Sequence, residues 1–173
     1  MPKIDVSEEL FFHALGRRFE EPALVDLLTA AKAELDGWDH DAKVLRIELN
    51  DTNRPDLWST LGLARQLGVY LGRPMPPYPF FSRQGDAKPT ADRRVIVDAG
   101  LADIRPYIVS FVAEGREVTD ALLREIIQSQ EKLCVNYGRK RKTIAMGVSR
   151  ADLVAWPVHY RAADPDAVRF TPL

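Results

Sequence analysis

Four consecutive cations, Arg139, Lys140, Arg141 and Lys142, follow Gly138 and form the densest chemistry-bearing run in the chain. A cluster of this kind suits phosphate groups. It suits the negative end of a helix finishing just before it equally well, and surface cations are often solvated or paired within the chain. Both readings stand on the sequence alone. A second candidate lies in RIELNDTNRPDLWSTL, residues 46–61, where Asp51, Asn53 and Asp56 offer oxygen ligands at calcium-loop-like spacing. That loop has no central glycine and no distal bidentate acid, and Pro55 stiffens it. The alternative is a corner between strand and helix, with Thr52 or Asn53 as cap, Pro55 in the first turn and Asp56 at the positive helix end. On that reading Asn50, Asn53, Arg54, Pro55 and Asp56 are a structural motif, and Trp58 locks the corner by packing.

Other chemistries find little support. One cysteine, Cys134, and three scattered histidines, His13, His40 and His159, give no pair with metal-ligand spacing. Cys134 falls on the apolar face of a predicted helix, which favours packing over nucleophilic attack. No G-x-S-x-G elbow, Walker loop or dinucleotide fingerprint occurs. Arg105-Pro106 precedes a strand-like run, where proline suits a first strand residue and Arg105 reads as a salt-bridge partner. No catalytic residue and no metal site is assigned.

The 173 residues carry 46% hydrophobic and 28% charged side chains and a net charge of −1, which suits a globular chain and excludes a globally basic one. Residues 1–92 hold 11 Lys/Arg against 15 Asp/Glu, and residues 93–173 hold 13 against 10. An anionic partner therefore belongs with the second half. A single cysteine, no long apolar run and no signal-like start lead to the expectation of a soluble, cytoplasmic protein without membrane contact.

The elements that must position these residues divide at RPMPPYPFFSRQGDAKPTADRR, whose five prolines read as a linker. The predicted layout is a small mainly helical domain over 1–73, the linker over 74–92 and an α+β domain over 93–173. In the first, a strand at 3–6 leads to a helix capped by Ser7, with Leu10, Phe11, Ala14 and Leu15 as its stripe and Gly16 as its stop. A helix from Glu21 buries Leu24, Leu27, Leu28 and Ala31. A strand spans 44–49, and a third helix over 55–72 buries Leu57, Leu61, Ala64, Leu67 and Leu71. In the second, strands are expected at 93–98, 107–114, 143–148 and 158–161, with another opening near Phe170. Thr119 caps one long helix through Tyr137, apolar at Leu122, Leu123, Ile126, Ile127, Leu133 and Cys134.

Five collinear stretches, MPKIDVSEE, ELNDTNRPDLWSTLGLAR, IRPYIVSFV, QEKLCVNYGRKRKTIAMGV and HYRAADPDAVRFTPL, span nearly the whole chain. Together they resemble the N-terminal portion of the phenylalanyl-tRNA synthetase beta chain of the archaeal and eukaryotic type. The resemblance implies an aminoacyl-tRNA ligase of two alpha and two beta chains that uses ATP and magnesium, neither bound by the stretch matched here. It places the aminoacylation site in the alpha chain. To the beta chain it gives assembly, tRNA(Phe) contacts and editing in a central α+β domain, whose mixed sheet 93–173 would begin. The family's editing residues lie mostly downstream, so none is carried onto this sequence. Cys134 stands where the family usually has histidine after QEKL. The relatives continue past Leu173, which leads to the expectation of a segment that is not catalytic alone. Its partners would be the alpha chain, the rest of the beta chain and tRNA(Phe), with Arg139, Lys140, Arg141 and Lys142 as RNA contacts. A free-standing tRNA-binding module or trans-editing factor is the alternative. An exposed sheet edge in a half-built domain would favour self-association.

Overall fold

The computed structural model describes residues 2–75, 77–78, 92–115 and 117–171. The architecture is α+β. By contacts the chain forms two compact units, one of residues 1–77 with 117–148 and one of residues 78–116 with 149–173. Most of the predicted linker, residues 79–91 with Pro79, Phe80, Phe81 and Pro89, lies outside the described residues.

The first unit is built on a three-stranded antiparallel sheet of order β1-β3-β2, comprising β1 (Lys3–Ser7), β2 (Ala33–Asp39) and β3 (Val44–Leu49). Strand alternation decides which face is buried. Ile4 and Val6 of β1 stand opposite Ile47 and Leu45 of β3, and all four are almost fully buried. Helices α1 (Glu8–Leu15), α2 (Glu21–Thr29) and α3 (Thr60–Tyr70) contribute Phe11, Leu15, Leu24, Leu28, Leu63 and Leu67 to the same core. Burial of a large aliphatic side chain is worth about 1.5–3 kcal/mol, so this single cluster holds the unit together.

Strand β2 was not expected from the sequence. Its AELDGWD carries two acids and a glycine, which depress strand propensity, and its register slips between Leu35 and Gly37. It forms because β3 supplies a ladder and Trp38 supplies an anchor. The Trp38 indole N–H donates to Glu8 Oε2 at 2.7 Å, and Arg18 pairs with the other Glu8 oxygen. Burial pushes the Glu8 carboxyl up, but the Trp38 and Arg18 hydrogen bonds outweigh it and hold the group below the ordinary carboxylate range.

The expected helix over 55–72 is corrected in its start and in its phase. Pro55–Leu57 form one 3-10 turn, and α3 starts only at Thr60, with Ser59 Oγ accepting the Gly62 N–H at 3.0 Å. Thr52 and Asn53 therefore do not cap it. Leu61 and Leu71 are 41% and 38% exposed, and Leu63 is buried in their place.

Residues 117–148, grouped with the second half in the sequence reading, cluster with the first unit. Two polar side chains of α4 (Asp120–Lys132) account for this. Gln128 accepts the Asp5 N–H at 2.7 Å and donates to the Asp5 carbonyl at 2.8 Å, mimicking one rung of a strand on the outer edge of β1. Glu125, buried, accepts the Thr60 N–H at 2.7 Å and so caps the first turn of α3. The expected apolar face of α4 is only half covered, with Leu123 and Ile127 44% and 50% exposed.

In the second unit, β4 (Val95–Val97) pairs in parallel with β5 (Val158–Tyr160). Asp98 caps the short 3-10 turn Ala99–Leu101 through the Gly100 N–H, and Leu101 is buried. The Tyr160 hydroxyl donates to the Arg105 carbonyl at 3.3 Å, and Arg93 pairs with Glu114 at 2.7 Å. The strand expected over 107–114 is not formed. Tyr107, Val109 and Phe111 alternate outward, 87%, 91% and 86% exposed. Strand propensity measures fit to a half-buried pleated surface, and no described residue pairs with this segment. The stretches at 143–148 and around Phe170 likewise carry no strand among the described residues.

Candidate nucleic-acid interface

The cationic run is held by the way α4 ends. Thr119 caps its start, its side chain accepting the Leu122 N–H at 3.3 Å. After Lys132 the helix widens into one π-helical turn, Leu133–Tyr137. Gly138 follows, and then Arg139, Lys140 and Arg141 all adopt left-handed backbone, with φ of 49°, 58° and 66°. The chain doubles back over the helix end. The Gly138, Arg139, Lys140 and Arg141 amides donate to the Leu133, Asn136, Val135 and Cys134 carbonyls at 2.8, 3.2, 2.8 and 2.9 Å. These are the carbonyls a helix terminus leaves without partners.

Left-handed backbone costs a non-glycine residue on the order of 1–3 kcal/mol, and the four amide bonds offset that cost. Gly138 has a separate reason to be glycine, although its φ is negative. A Cβ there would stand 2.4 Å from the Ile144 carbonyl oxygen and 2.5 Å from that of Cys134. The cations thus ride on a strapped turn. All four side chains are exposed. Arg141 pairs with Glu131 at 2.5 Å, both about half exposed, and such a pair contributes about 0–1 kcal/mol. Among the described residues Arg139 and Lys140 have no ion-pair partner.

Cys134 is fully buried under this turn, and its Sγ accepts the Met146 N–H at 3.1 Å. Its surroundings are those of packing.

At the corner, Asp51 and Asp56 are directed to the protein's own cations. Asp51 accepts the Asn53 N–H at 3.0 Å and faces Lys32 at 3.6 Å. Arg54 grips Asp56 with two hydrogen bonds of 2.9 and 2.8 Å and reaches Gln66 at 2.9 Å, while Arg65 lies 3.7 Å from Asp56. The Arg54 hydrogen bonds hold the Asp56 carboxyl below its ordinary value against the opposing effect of burial, and Asp56 raises Arg54 in return. Asn50 donates to Glu34 at 2.5 Å, tying the corner to β2. Trp58 is buried, with no partner for its indole N–H among the described residues.

The basic run and the corner are thus separate devices. The histidines occupy α1 (His13), the turn after β2 (His40, stacked on Trp38 at 5.0 Å) and β5 (His159). Sequence reasoning missed Glu125 and Gln128. Their one signal was a pair of polar residues three apart amid apolar ones, which places both on one helix face.

Residues 1–73 match the family model of the Phe-tRNA synthetase beta subunit B1 domain. Over its full length the chain is 44% identical to the phenylalanine–tRNA ligase beta subunit of Borreliella burgdorferi, strain ZS7. Over its whole length the chain is similar to part of phenylalanyl-tRNA synthetase beta subunits. The corresponding subunit of Treponema pallidum is 40% identical over 212 residues, again covering all of this chain. The chain spans 30% of the length of the Borreliella relative and 35% of the Treponema one. It also superposes on the crystal structure of an N-terminal fragment of the phenylalanyl-tRNA synthetase beta subunit from Pyrococcus horikoshii. The TM-score is 0.81 at 38% identity, covering 94% of this chain and 46% of that one. The solved structure it matches is an N-terminal fragment, and the corner motif falls inside the stretch matched by the B1-domain model.

Proposed function

We propose that this chain serves phenylalanine–tRNA ligase as a non-catalytic part of its beta subunit, contributing assembly with an alpha chain and a contact to tRNA(Phe). ATP and magnesium belong to the whole ligase in this reading, and 78–116 with 149–173 are the opening of its editing-type domain. Similarity to beta subunits over the whole chain supports the setting. The observation that carries the RNA contact is the strapped left-handed turn, which holds Arg139 and Lys140 exposed on a fixed frame beside Arg141 and Lys142. Cations on such a frame lose less conformational entropy on meeting phosphate than cations on a mobile tail.

The test is tRNA(Phe) binding to the full chain across a salt series. With two to four phosphates neutralised, log K falls against log salt with a slope of about −1.5 to −3.5. Replacing residues 139–142 by alanine together reduces that slope towards zero and weakens binding at low salt. An unchanged slope in the variant refutes the RNA contact.

A further inference from the structure

We infer that the turn after α4 takes an unpaired nucleotide, with the Tyr137 ring as the platform for its base and Arg139 and Lys140 on the adjoining phosphates. This rests on the RNA contact proposed above and narrows it from RNA in general to unstacked RNA. Tyr137 closes the π-helical turn and stands 55% exposed, two residues from Arg139. Val135 and Met146 expose 39% and 40% of their surface, and Met146 is fastened to this end of the helix through Cys134. An exposed aromatic ring on the same turn as exposed cations offers a base something to stack on and its phosphate something to meet.

The number of available cations decides between unpaired and duplex RNA. Successive residues in a helical turn project about 100° apart, so Arg139, Lys140 and Arg141 cannot all address one face. Glu131 holds Arg141. The backbone amides of 138–141 are spent on helix carbonyls and offer no anion nest. Lys142 has an interaction of its own within the chain. Arg139 and Lys140 are then the principal contacts, and two phosphates bring affinity that physiological salt largely erases. Base stacking brings about five- to hundred-fold per base and resists salt. A duplex has its bases already stacked and withholds that gain.

Fluorescence anisotropy of the full chain with a labelled unpaired oligoribonucleotide and with a duplex of equal length tests this. The unpaired probe binds about tenfold or more tightly. Tyr137→Ala weakens it about five- to hundred-fold with the salt slope kept and the duplex unaffected, while Tyr137→Phe stays near wild type. The Arg139→Ala/Lys140→Ala variant flattens the salt slope for both probes. Equal affinity for the two probes, or a Tyr137→Ala variant that melts normally and binds as wild type, overturns the stacking site while leaving the phosphate contact standing. A double variant with unchanged binding to both probes removes the phosphate contact itself, and with it this inference.

Discussion

Two glycines of the same helix, Gly62 and Gly68, respond to alanine in opposite directions. Replacing glycine by alanine inside a helix gains about 1 kcal/mol from backbone propensity. At Gly62 the new Cβ would sit 1.8 Å from the Asp56 carbonyl oxygen, 2.8 Å from Ser59 Oγ and 3.0 Å from the Asp56 carbonyl carbon. Relief requires a shift of about 1.5 Å in backbone or helix. That backbone carries the Arg54–Asp56 clamp, and the clashing hydroxyl is the α3 cap. Overpacking of this kind costs about 1–3 kcal/mol, more against rigid backbone, and loss of the cap adds about 1 kcal/mol. After the propensity gain the expected net destabilisation is about 2 kcal/mol. At Gly68 the nearest atom is Arg73 Cδ at 3.2 Å, part of a flexible side chain. Gly68→Ala is therefore expected to be neutral or stabilising by up to about 1 kcal/mol. Urea denaturation of both variants beside the parent, followed by far-UV circular dichroism, reads the difference in midpoint. A Gly62→Ala variant as stable as Gly68→Ala would refute the reasoning, since only the corner's position distinguishes the two sites.

Trp58→Phe is expected to cost under about 1.5 kcal/mol, because it removes a buried donor that has no partner among the described residues, whereas Trp58→Ala costs about 3–5. Equal losses in denaturation would mean that the indole N–H is satisfied after all. Glu8 has its native carboxyl held below the ordinary value of 4.5, so its contribution is complete above that pH and disappears as pH falls through the lower native value. Glu8→Gln should cost about 1–2 kcal/mol at pH 7, with the exposed Arg18 screened by solvent, and almost nothing at low pH. A stability difference between parent and variant that stays constant from pH 7 to strongly acidic pH contradicts the pairing.

Elements whose signals are local were legible in the sequence. Ser7 caps α1 and Gly16 closes it at φ +80°, as the residues alone suggested, and Thr119 starts α4. The helix cap at Thr52 or Asn53 was not legible correctly, because Pro55 starts a separate 3-10 turn and leaves Trp58 and Ser59 between it and the helix. β2 was missed because its residues are poor strand formers made into a strand by a neighbour. The segment 107–114 erred the other way, its residues being good strand formers for which no described residue supplies a neighbour. The cationic run was legible as charge. Its left-handed path was not, since consecutive non-glycine residues at positive φ have no local signature. Glu125 and Gln128 act across 65 and 123 residues of sequence, a distance over which no periodicity reports.

Those two contacts bear on where the first domain ends. The family match stops at residue 73, yet the compact unit also includes 117–148. Nothing in the apolar cluster requires that addition, because all of its fully buried members lie between Ile4 and Leu67. What α4 supplies is polar termination. Glu125 satisfies an amide at the α3 N-terminus, and Gln128 occupies both hydrogen-bonding groups of Asp5 on the outer edge of β1. Without α4 those groups would turn to water, so the loss is about 0.5–1.5 kcal/mol per bond, not the penalty of buried unpaired atoms. The apolar core thus lies within residues 1–73, while α4 covers part of the β1 edge, the kind of edge at which strands can pair. At β1 the side-chain amide of Gln128 stands in for a strand partner at Asp5, whereas the open edge expected of a half-built domain concerned residues 93–173.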